Sequence, residues 1–292
     1  MWYYPLGLCC TAIIDPAFDI SAYSFAAQSI ISPMAGMVVV WNVLLAPYTL
    51  GETLTRSRKL GALLIVLGTL FVGLFGNHNS VDRTVEEYLV LFSRPLALLY
   101  YFVFACISVV MGWYMRHGSP FVAGFCGGGL GGLLAGNMFT TKAVVEMLKC
   151  VATADDPEAA GCAYNPFLTV FPYLFIAISL TLACVSLYLL AVGLKNFEAL
   201  YMITVFEGFM IISGSISGNI VMNEKEGQPT LNLVIYTGAI GIILVGLHEL
   251  LKGERGGEAS LLGDAGIAPA SEGMTEMGEL HHGTTTRLRV AS

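Results

Sequence analysis

Apolar positions run along the chain in eight long stretches separated by short polar ones: residues 2–27, 30–50, 60–76, 95–114, 121–148, 167–194, 198–222 and 231–251. A helix that crosses a bilayer needs roughly 20 residues, within a range of about 17 to 25, and tilt absorbs an excess. The pattern therefore predicts about eight transmembrane helices. The second stretch is the most regular. Between Ile30 and Leu50 only Ser32, Asn42 and Thr49 are polar, then Gly51-Glu52 closes the run and Arg56, Ser57, Arg58 and Lys59 follow. An apolar run stopped by a basic cluster reads as a span with its cytoplasmic end at the cluster. Carried along the chain, that side also collects Arg116, Lys195, Lys252 and Arg255, and the opposite side holds Arg83, Arg94, Lys149 and Lys225. This excess of positive charge predicts that both termini are cytoplasmic. Residues 253–292 are polar without sustained periodicity, so a disordered cytosolic tail is expected behind a transmembrane domain at residues 1–252.

Weak internal repetition organises the eight runs. Leu67-Gly68-x4-Gly73-Leu74 is echoed by Ile240-Gly241-x4-Gly246-Leu247, Glu52 by Glu224, and Tyr23-x2-Ala26 by Tyr188-x2-Ala191. Runs one to three thus pair with runs six to eight, an arrangement typical of transporters. Runs four and five have no partners upstream. A full first half would need one or two more helices before Trp2, so an N-terminally truncated chain is expected. The fifth run is crowded with Gly124, Gly127, Gly128, Gly129, Gly131, Gly132 and Gly136. Each glycine would cost a soluble helix about 1 kcal/mol relative to alanine, whereas in a membrane small residues let helix backbones approach closely.

Composition narrows the class further. Of 292 residues, 55% are hydrophobic and 12% charged, against roughly 25% charged in ordinary soluble domains, and the mean hydropathy is +0.72. The lipid bilayer is the expected surrounding. No basic arm or RNA-binding signature points to nucleic acid. No nucleophile elbow, phosphate loop or metalloprotease motif points to an enzyme, and no cofactor is expected.

Ionisable residues inside spans are expensive and mark function by default. They are Asp15, Asp19, Lys142, Glu146, Glu198 and Glu207. Asp15 and Asp19 are four apart and share a helix face, where two like charges repel unless a cation or proton lies between them. Pro16 disrupts the local ladder and leaves a carbonyl available. The same two aspartates would also fit an interfacial position or a pairing with Lys142. Lys142 and Glu146 have the spacing of a helical ion pair. Glu198 suits a helix N-terminus, and Glu207 lies deepest in the second half. Asn42, Asn137, Thr140 and Thr204 supply neutral oxygens. A cation pathway of Asp15, Asp19, Asn42, Asn137, Lys142 and Glu207 follows, with Asp19 and Glu207 as metal ligands facing a central cavity. The connection at residues 149–166 carries Asp155, Asp156 and Glu158 with Cys150 and Cys162; a disulfide and two free thiols are both compatible with it.

Ala22-Tyr23-Ser24-Phe25-Ala26, Ser32-Pro33-Met34-Ala35-Gly36, Gly51-Glu52-Thr53-Leu54 and Gly61-x6-Gly68 together resemble the drug/metabolite transporter superfamily, and more narrowly the NIPA-type magnesium transporters. In that family a tyrosine-bearing helix end leads to a Thr-Pro or Ser-Pro pair and an Asn-Glu or Gly-Glu exit, and a lysine stands at the place of Lys142. The resemblance covers residues 2–251. Departures are Asp15-Pro16 near a Gly-Glu pair, Asp19 in place of asparagine, and Asn196-Phe197-Glu198-Ala199-Leu200-Tyr201-Met202 in place of Asn-Thr-Ser-x-Val-Thr-Pro. The resemblance implies an all-α, two-repeat transporter bundle with its first half incomplete. It also implies transport of a divalent cation, Mg²⁺, in the plasma or an endosomal membrane, with a homodimer as an allowed state. A carrier for a small organic solute on the same fold, or a non-transporting membrane scaffold, are the alternatives.

Overall fold

Within lipid, a spanning segment must satisfy its own backbone groups, so apolar runs of this length become helices. The computed structural model describes residues 14–49, 56–77, 83, 85–152, 166–197 and 199–265, and within them all regular structure is helical. The elements are α1 (Asp15–Tyr23), α2 (Gln28–Met34), α3 (Gly36–Thr49), α4 (Arg56–Phe75), α5 (Val85–Phe92), α6 (Pro95–His117), α7 (Pro120–Ala135), α8 (Phe139–Ala152), α9 (Phe171–Asn196), α10 (Ala199–Ile220) and α11 (Thr230–Ala265), with a 3-10 turn at Pro166–Leu168 before α9. Seven stretches among the described residues are long and apolar enough to cross a membrane: Gln28–Leu45, Arg56–Phe75, Pro95–His117, Phe121–Lys149, Phe171–Asn196, Tyr201–Ile220 and Thr230–Lys252. The protein is an all-α, multi-pass integral membrane protein. The remaining expected run, residues 2–27, is described only from residue 14, where it forms α1.

Two runs that read as continuous are broken. α2 ends one residue after Pro33, and Ala35 donates to Ser32 O in a tightened turn before α3 begins. Proline has no N–H and its ring crowds the preceding turn. The glycine-rich run divides at Gly136-Asn137-Met138 into α7 and α8. α5 is a short additional helix that the hydrophobic pattern did not single out; it buries Val85, Tyr88 and Leu91. α11 continues to Ala265, so the boundary near residue 252 ends the apolar stretch and not the helix.

Glycines set the packing around α10. A Cβ on Gly132 would lie 2.1 Å from Phe206 O, and one on Gly136 would lie 2.5 Å from Met210 O. With Gly128 against Met202, these four-residue steps run α7 along α10 backbone to backbone. Further along α10, Gly214 and Gly218 receive Ser32 and the N–H of Ser29 from α2. A second close seam joins α4 and α11, antiparallel, at Gly61 opposite Gly246 and at Gly68 against Ala239 O. The echoed glycines divide here: Gly68 and Gly246 make the seam, while among the described residues nothing would meet a Cβ on Gly241 within 4 Å. α6 and α9 leave large apolar side chains such as Phe102, Val109, Leu180 and Tyr188 exposed, the surface that a bilayer solvates.

Candidate functional site

The loop after α10 builds the site. Asn223 takes φ 51°, a left-handed conformation that asparagine tolerates and that commonly ends helices. The N–H of Glu224 then turns back to Gly218 O at 3.2 Å. This reversal carries the Glu224 carboxylate over the start of α2. The N-cap there is Ala27, whose side chain has no oxygen to offer. Glu224 supplies the cap from 196 residues away: Gln28 N donates to Oε1 and Ser29 N to Oε2, each at 2.8 Å. A carboxylate on two N-terminal N–H groups is favoured by charge and by the helix dipole. The loop is held by Asn77, whose amide donates to Glu224 O, and by Gln228, which donates to Phe75 O at 2.7 Å. Tyr236 OH fixes Ser29 O at 2.7 Å.

Lys142 lies in the first turn of α8, just past the break. Its Nζ donates to Ala26 O at 2.9 Å and stands 3.6 Å from both Glu146 Oε1 and Glu224 Oε1. All three side chains are buried. Glu146 Oε2 accepts from the Tyr88 hydroxyl of α5. Burial first, and the Glu146 carboxylate second, push the Tyr88 phenol well above the usual tyrosine range, so it stays a donor. The break itself is bonded across. Gln28 Nε2 donates to Gly136 O at 3.0 Å and to Ser217 Oγ at 2.8 Å. Asn137 Nδ2 donates to Leu133 O and Ser213 Oγ, and its Oδ1 accepts from Tyr100 OH. Polar atoms freed by a broken membrane helix need such partners.

Lys142, Glu146 and Glu224 form part of the wall of a cavity of about 530 Å³ whose lining also includes Ala27, Asn77, Arg83, Glu86, Glu87, Arg94 and Glu226. Among the described lining residues, five glutamates against three basic residues give a formal charge of −2. The cavity lies at the end of α4 opposite its basic cluster, about 30 Å along a helix of that length. Among the described residues no three acidic, histidine or cysteine side chains converge as a metal cage.

The structure brings Lys142 and Asn137 to the same region and separates the other expected pathway residues from it. Glu207 is buried on α10, but ten residues before Ser217, or about 15 Å along the axis. Asp19 is exposed on α1, and Asn42 is half-buried on α3 beside the apolar Val39 and Val43; neither lines the cavity. Asp15 opens α1, and its side chain lies outside the described part. Glu52, Glu198, Cys162 and the acidic residues 155, 156 and 158 also fall outside it. Glu146, Glu224 and Tyr88 were not placed on the pathway from the sequence. A signal for Glu224 existed: it is the echo of Glu52, and Asn223-Glu224 has the form of the Asn-Glu exit.

No solved structure matches this chain. It is 23% identical over 247 residues to the probable magnesium transporter NIPA1 of Arabidopsis thaliana, covering 83% of this chain and 70% of that relative. It is 23% identical over 266 residues to the probable magnesium transporter NIPA2 of the same plant, covering 89% and 75%. The sequence profile of the family described as Magnesium transporter NIPA matches residues 1–255, through every spanning helix described above; the chain belongs to that family.

Proposed function

We propose that this protein moves Mg²⁺ across a membrane, and that the cavity over Lys142, Glu146 and Glu224 is where the ion enters. The observation that carries this reading is the cavity's chemistry: described lining residues of summed formal charge −2, ending on two buried carboxylates that share one ammonium. Mg²⁺ prefers oxygen ligands, keeps several waters and is usually held by one or two carboxylates. Six waters occupy about 180 Å³ at liquid density, well within the cavity. The names of the relatives, all probable magnesium transporters, support the same ion. Below the cavity the polar groups of Gln28 and Asn137, with Ser217 and Ser213 of α10, lead toward Glu207, which gives the ion a third carboxylate deeper in the bundle. The test is uptake into proteoliposomes with an entrapped Mg²⁺ indicator, alongside a panel of organic solutes as competitors. Saturable Mg²⁺ uptake that Glu224→Gln reduces about tenfold, the scale of 1.4 kcal/mol, is the expected result. Uptake of an organic solute with no Mg²⁺ movement would overturn it.

A further inference from the structure

We propose that Lys142 is a tethered cation that the transported ion must displace, and that this exchange selects divalent over monovalent ions. The proposal rests on the reading of the cavity as the entry site for Mg²⁺. Its basis is the geometry of the ammonium. Among the described residues, Lys142 Nζ makes one close bond, to Ala26 O at 2.9 Å, and stands 3.6 Å from each carboxylate. Charge-assisted contacts normally close to about 2.7–2.9 Å. Lys142 therefore neutralises Glu146 and Glu224 from a distance and seals neither. The carboxylate oxygens keep their places without it: Glu224 is held by two backbone N–H groups and Glu146 by Tyr88.

The trio carries a formal charge of −1. An incoming monovalent ion would only replace one positive charge with another, and would lose part of its hydration in doing so. It also competes with an ammonium whose tether gives it a high effective concentration. A divalent ion interacts with the same two carboxylates at twice the Coulomb strength, which offsets the displacement. The displaced side chain has somewhere to go. Lys142 lines the cavity together with Glu86, Glu87 and Glu226, and its four-carbon stem is flexible. A purely structural ion pair would hold the lysine in place whether or not Mg²⁺ is bound.

The test uses the purified full chain in nanodiscs. A pulse of an amine-acetylating reagent is followed by peptide mass spectrometry, with and without Mg²⁺. The expected result is an increase of about fivefold in the labelling rate of Lys142 at saturating Mg²⁺, none with Na⁺ at matched ionic strength, and none at Lys195; population shifts of this size accompany ordinary coupling energies. In proteoliposomes, Lys142→Met is expected to admit Na⁺ at about tenfold lower concentration than the unaltered protein does, while Lys142→Arg keeps Na⁺ out. If Lys142→Met does not fold, labelling of the unaltered protein decides alone. Mg²⁺ that raises the unfolding temperature without changing Lys142 labelling overturns the displacement and leaves the entry site standing. Mg²⁺ that neither raises the unfolding temperature nor enters vesicles overturns both.

Discussion

At the scale of single residues, Glu224 does two jobs with one carboxylate. It caps α2 through Gln28 N and Ser29 N, and it shares the Lys142 ammonium with Glu146. The jobs can be separated by substitution. Glu224→Ala leaves two buried N–H groups without an acceptor, and each such group costs about 1–3 kcal/mol; a clear drop in unfolding temperature in detergent is expected. Glu224→Gln keeps an acceptor for one N–H and removes the charge, so it should unfold closer to the parent protein while its Mg²⁺ uptake falls. Equal unfolding temperatures for the two variants would show that the cap contributes little. The chemistry of this region was partly legible in the sequence, since Lys142 and Glu146 carry helical ion-pair spacing within an apolar run. The third partner was not, because nothing local ties residue 224 to residue 28. The left-handed turn at Asn223 makes that connection, and the pairing exists only once α10 has packed on α2.

At the scale of elements, the glycines separate into those that hold helices together and those that do not. The sequence identified the crowding in the fifth run and its meaning, but the break at Gly136-Asn137-Met138 was hidden, because Asn137 also reads as a single polar residue carried inside a continuous span. The partner bonds from Gln28 and Ser213 are what make the break tolerable, and they come from distant segments. The echoed pair Gly241 and Gly246 likewise looked equivalent, yet only Gly246 faces α4. A contrast follows. Gly132→Ala would place a methyl 2.1 Å from Phe206 O, forcing α7 from α10; overpacking of this kind costs about 1–3 kcal/mol or more. Among the described residues Gly241→Ala meets nothing within 4 Å, and it should be neutral or slightly stabilising through helix propensity. Fluorescence-detected size-exclusion yield and unfolding temperature measure both, and a Gly132→Ala variant as stable as Gly241→Ala would remove the seam as a determinant of the fold.

At the scale of the whole molecule, the sequence placed the spans and their family, but it set the acidic groups around one central cavity, because spacing along a helix carries no information about depth shared between helices. The structure instead sets two levels on α10. One is the cavity at the Ser217–Glu224 end. The other is Glu207, about 15 Å further along the helix, with the bonded layer of Gln28, Asn137, Ser213 and Ser217 between them. A transporter with a site on one side of such a layer must rearrange it for the ion to pass, and separate levels should respond differently to substitution. Glu207→Gln is therefore expected to leave Mg²⁺ binding at the cavity intact, seen as an unchanged rise in unfolding temperature with Mg²⁺ and an unchanged gain in Lys142 labelling, while the maximal uptake rate falls severalfold. Glu224→Gln should do the reverse, weakening binding first. In kinetic terms the first change lowers the maximal rate and the second raises the half-saturating concentration. If Glu207→Gln alters half-saturation and Lys142 labelling as strongly as Glu224→Gln does, the two carboxylates act as one site, and the bonded layer between them is no barrier.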